Sequence, residues 1–131
     1  MRIGIIAEGR ADIAVIKAVV KAITGIDGSD MYAIRPKEIL DETDGEELKF
    51  SNWELVLQSC NNEQLLVPFF EAIDDEAILV VHIDTAERGE KNYDVHEPQR
   101  TGHPDWKEYS RELRNNVKKK IEALIPERHR D

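Results

Sequence analysis

The chain has 131 residues, enough for one domain with a real core and too few for two ordinary ones. Hydrophobic residues make up 40% and charged residues 34%, a soluble globular balance, and no apolar run approaches the roughly 18 residues of a membrane-spanning helix. The formal net charge of -9 counts against coating nucleic acid with the whole surface, but not against a small site where a metal ion reverses the local charge.

Residues 3–7 form a short apolar run with little alternation, as expected of a buried parallel strand. The run is too short for a signal peptide and breaks at Glu8. Cys60 is the single cysteine, which removes any disulfide framework and points to a reducing, cytoplasmic setting. Asp12 is expected to open a helix with Ile13, Ile16, Val19, Val20 and Ile23 at helical spacing, stopped by Gly25. Residues 31–35 read as a second strand, ended by Pro36. Residues 37–49 crowd Asp41, Glu42, Asp44, Glu46 and Glu47 around Gly45 and read as a helical turn followed by an exposed acidic loop. Ser51 and Glu54 have capping-box spacing and predict a helix through about Ser59, with a strand over 54–57 as the alternative. Leu65, Leu66, Phe69, Phe70 and Ile73 mark a further helix, in which Pro68 predicts a kink or a late start. Residues 77–84 are the clearest buried strand, β-branched and uncharged until Asp84. Residues 85–104 form a polar loop of a length that is usually functional or mobile. Asp105 caps a long amphipathic helix with Trp106, Tyr109, Leu113, Val117, Ile121 and Leu124 on its inner face, ended by Pro126.

Such alternation predicts the α/β class: one domain over residues 1–131 with a mostly parallel open sheet and helices on both faces, in the Rossmann-like manner. Ligands of such sheets sit beyond the carboxyl ends of the strands. Glu8 and Asp84 are both expected at that edge, brought together by the fold.

Each carboxylate has a plainer alternative. Glu8-Gly9-Arg10-Ala11-Asp12 is also a polar turn with an acidic helix start. An Asp ending an apolar strand needs a partner, because an unpaired buried charge is costly; Arg10, Arg88 or a metal would serve. His82 precedes Asp84 by two residues, on the same strand face, and is more ordinarily a hydrogen-bonded core histidine than a ligand.

Taken together, the two segments resemble the Toprim family, whose signature is a strand ending in Glu-Gly-x-x-Asp and a later strand ending in Asp-x-Asp-x-x-Gly. Glu8, Gly9 and Asp12 complete the first motif; Asp84 and Gly89 match the second, while Ala86 replaces its second Asp. The resemblance covers roughly residues 1–89, and by style the chain looks like small stand-alone Toprim-like proteins of bacterial phage defence, a step of analogy. It implies a Mg²⁺ (or Mn²⁺) site that cleaves phosphodiesters of nucleic acid, with Glu8 as general acid/base or ligand and Asp84 as ligand. Glu87 would substitute for the ligand missing at Ala86. Gly9, Asp12, Gly89 and His82 would support the site. The missing ligand equally fits a degenerate module acting through protein partners in a defence or regulatory system. Family sheets also continue with a strand after the long helix. Either this sheet is smaller, or the chain is the N-terminal part of a longer protein.

Other features have ordinary explanations. Lys107, Arg111, Arg114 and Lys118 form a basic stripe that could meet phosphates, but Glu108 and Glu112 are close by in sequence, so a solvated face is the better expectation. His96 and His103 lie among Asp94, Glu97 and Asp105 without the tight spacing of a zinc site. Trp53, Trp106, Phe69 and Phe70 are expected in the core. A receiver-like or phosphatase-like domain ranks last, since no later strand supplies the lysine a receiver needs.

Overall fold

A computed structural model describes residues 1–37, 52–72, 76–86, 88–99 and 105–130. The described chain divides into two compact units, Met1–Ile83 and Asp84–Asp131. The expected α/β class holds for the first unit.

The first unit is built on three parallel strands, β1 (Arg2–Ile6), β2 (Met31–Arg35) and β3 (Ala77–Val81), in the order β2-β1-β3. The central strand β1 is buried along its whole length because it has a neighbour on each side and helices above and below. Its alternate residues face opposite layers. Ile3, Ile5 and Ala7 pack with Ile13, Ile16 and Val20 of α1 (Arg10–Thr24). The other face carries Gly4, against which the ring of Phe69 and the tip of Ile34 pack. Phe69 belongs to α3 (Glu63–Glu71), which follows the nine-residue α2 (Asn52–Cys60). Nearly every side of α2 is buried, Trp53, Leu55, Val56, Leu57 and Cys60 among its residues. Its Ser51 cap and the acidic segment at 38–49 lie outside the described residues. The alternative strand over 54–57 is excluded: those residues are helical.

Several expectations need correction. α1 starts at Arg10 with Gly9 as N-cap, so Asp12 sits in the first turn instead of opening the helix. Gly25 does stop α1, in the left-handed conformation (φ 71°) that favours glycine, its N–H bonded to Lys21 O at 2.9 Å. α3 does not start late: Asn62 Oδ1 accepts from Gln64 N at 3.0 Å and the helix runs from Glu63 through Pro68 to Glu71. β3 ends at Val81, three residues before Asp84, and is half-buried, with Ile78 40% exposed, because it is an outer strand of the described sheet.

The second unit folds its loop onto α4 (Trp106–Leu124). Residues 88–95 close on themselves through Val95 N–H to Arg88 O at 2.9 Å. Tyr93 is fully buried and donates its hydroxyl to Asp84 O at 2.9 Å. Glu97 accepts from the Tyr109 hydroxyl and pairs with Arg88, holding that guanidinium still more firmly protonated than usual. Asn116 donates to His96 O at 2.9 Å. The described part of the polar loop is therefore an ordered strap. Tyr109, Leu113 and Val117 form the buried face of α4, as the spacing predicts. Trp106 does not join it and is 72% exposed.

Candidate functional site

The order β2-β1-β3 means that the chain leaves β1 to one side for β2 and returns on the other side for β3. The carboxyl end of β1 is thus a topological switch point, where open α/β sheets form their ligand crevice. Parallel pairing brings the exits of all three strands to this edge.

Glu8 stands there, half-buried, two residues past the end of β1. Arg35 fixes its main chain: one guanidinium nitrogen, Nη1, donates to Ala7 O at 2.8 Å and to Glu8 O at 3.2 Å. The ladder also continues past β1 on both sides, with Ala7 N–H to Arg35 O and His82 N–H to Ile6 O, each 2.8 Å. His82 is exposed at the exit of β3 instead of being a core histidine.

Gly9 and Asp12 have a local explanation. Asp12 Oδ2 accepts from Gly9 N–H at 3.0 Å, so the carboxylate reaches back to satisfy the helix start. Gly9 itself is extended (φ -142°), a conformation any residue adopts. Asp84 is exposed, so no burial cost demands a partner for it; its Oδ1 accepts from Ala86 N–H at 2.8 Å and closes a side-chain turn. Gly89 is exposed, and among the described residues no side chain or backbone atom beyond its chain neighbours lies within 4 Å of where a Cβ would stand. Glu87 and His103 lie outside the described residues. Among the described residues, no three His, Cys, Asp or Glu side chains are grouped closely enough to hold a metal ion. The carboxylates present have the hard-oxygen chemistry Mg²⁺ prefers, and that ion commonly keeps several waters beside one or two carboxylates.

Sequence reasoning missed the cationic side of this edge. Arg10, Lys17 and Lys37 surround an open cleft of about 270 Å³ floored by Ile13, Ala14 and Ala33. The available signal was Arg10, Ala14 and Lys17 at helical spacing on one face of α1. The convergence of Lys37 depends on where β2 ends and is not written locally. Cys60, by contrast, carries no chemistry: burial pushes its thiol up to about 12, so it stays protonated at neutral pH.

No protein-family model, no curated protein and no solved structure matches this chain. Among the described residues no helix is long and apolar enough to cross a membrane.

Proposed function

We propose that the chain is a Toprim-like domain that cleaves phosphodiester bonds of nucleic acid with the help of a divalent cation. The observation that carries this reading is the half-buried Glu8 at the exit of the central strand, at the switch point of a parallel sheet, with Arg10, two residues further on, lining a cleft that Lys17 and Lys37 share. Glu8 and Asp84 are the carboxylates that would hold Mg²⁺ or Mn²⁺, with Glu87 as the third. The cation would stabilise charge on the phosphoryl oxygens. Arg10, Lys17 and Lys37 bear the charge that attracts a phosphate backbone to this edge. In the hydrolysis, water gives its oxygen to phosphorus and one P–O ester bond breaks. Glu8 is the group on the chain suited to take the proton from that water, and the departing oxygen is protonated by solvent.

A second reading has its own support. Asp12 and Asp84 each use a carboxylate oxygen on a local backbone N–H, and Ala86 stands where the family pattern has an acid. These features favour a catalytically degenerate module that works through protein partners.

Calorimetric titration of Mg²⁺ and Mn²⁺ into the wild type, Glu8→Gln and Asp84→Asn decides between the two. The nuclease reading expects saturable binding that both substitutions abolish, together with metal-dependent cleavage of DNA or RNA lost in both variants. A folded wild type that binds no metal at millimolar concentration would leave the degenerate module as the better account.

A further inference from the structure

The first turns of α4 present a surface that the fold does not use. Trp106 is 72% exposed, its indole set edge-on to the ring of Tyr109 at 5.6 Å and 76°. Together with Lys107, Ser110, Arg111 and Arg114 it lines an open recess of about 460 Å³. At 100° per residue, Lys107, Arg111, Arg114 and Lys118 share about 60° of arc, whereas Glu108 and Glu112 are centred roughly 110° away. The acidic neighbours are therefore centred on the adjoining side of the helix, with Glu108 about 60° from Arg111 at the edge of the strip. Lys118 is answered by Glu122 at 3.6 Å, but Lys107 and Arg111 form no ion pair among the described residues. This basic strip sits on a chain whose net charge is -9, so its positive field is local and directional.

We propose that this face binds single-stranded nucleic acid, with a base stacked on Trp106 and the adjoining phosphates on Lys107, Arg111 and Arg114. An exposed aromatic beside a row of cations is the arrangement that grips unpaired strands without reading sequence. Successive cations rise by about 4.5–6 Å along the helix, at 1.5 Å per residue, close enough to meet neighbouring phosphates. An acidic peptide without aromatic residues would satisfy the cations but gives the indole no flat ring to stack on, and a duplex keeps its bases stacked away from it. The proposal stands on the second unit alone and needs no metal.

Fluorescence anisotropy with labelled oligo-dT and oligo-U, in low salt with EDTA, tests it on the whole chain. The expected result is saturable binding that Trp106→Ala weakens by roughly 5- to 150-fold, the range of one lost base stack. The Arg111→Glu/Arg114→Glu double variant should lose binding, and a hairpin duplex should compete poorly. Far-UV circular dichroism should be unchanged in each variant, since all three side chains are exposed. No saturable binding by the folded wild type would overturn the proposal. So would binding indifferent to Trp106→Ala, or displacement by polyglutamate as effective as displacement by the unlabelled oligonucleotide. Because EDTA removes the cation, failure of the acidic site leaves this result untouched, and the reverse also holds.

Discussion

Replacing Gly4 by alanine would put a methyl group into a closed gap of the sheet. An ideal Cβ at that position lies 2.6 Å from Ile34 Cδ1 and 2.9 Å from Phe69 Cζ. Both distances are well inside van der Waals contact, and the aromatic ring is held edge-on between Tyr32 and Phe70. Overpacking of this kind costs about 1–3 kcal/mol, while the lower unfolded-state entropy of alanine returns about 0.5–1 kcal/mol. The net expectation spans about 0–2.5 kcal/mol of loss, centred on about 1 kcal/mol, or roughly 4 °C in Tm for a chain of this length. Urea unfolding followed by the fluorescence of buried Trp53 would measure it, with the midpoint lowered and the slope unchanged. Ile34→Val removes the nearer of the two atoms, so the double variant should recover about 1 kcal/mol relative to additivity. A raised midpoint in Gly4→Ala, or strict additivity in the double variant, would refute the packing described between β1, β2 and α3.

Two further outcomes follow from the site. Asp12→Ala should lower stability by about 1 kcal/mol through loss of the contact to Gly9 N–H, yet leave metal binding intact; loss of metal binding without loss of stability would make Asp12 a ligand instead. Cys60 should resist alkylation in the native chain and react on unfolding. Its thiol, held at about 12 when folded, ionises near 9 when unfolded, so above pH 9 the unfolded chain binds fewer protons. Stability should therefore fall as pH rises from about 9 towards 12, by at most about 1.4 kcal/mol per pH unit from this group. A Cys60→Ala variant with the same alkaline profile as the wild type would remove the cause.

The sheet was legible where side-chain pattern alone decides it. The run at residues 3–7 gave β1, and Gly25 gave the end of α1. The end of β3 was misread because apolar sequence continues to Ile83, whereas a ladder lasts only as long as its partner, and β1 turns away after Ala7. Trp106 fits the helical spacing of Tyr109 and Leu113, but it lies in the first turn, and helical side chains lean towards the N-terminus. The lean carries the indole past the buried stripe. Polar composition between residues 85 and 99 hid the two anchors, Tyr93 and Val95, that order that stretch. At the site, Glu8 was legible because a single strand and its turn place it. The cleft of Arg10, Lys17 and Lys37 was not, because it forms where two separate elements meet.

Arg35 gives the exit of β1 an uncommon property. Its guanidinium grips two carbonyl oxygens, and carbonyls are the same whatever side chain a residue bears. The turn at residues 7 and 8 is consequently held in place without reference to what occupies position 8. That grip acts through groups every residue carries, so the Glu8→Gln variant should keep these two bonds and the path of the turn they hold.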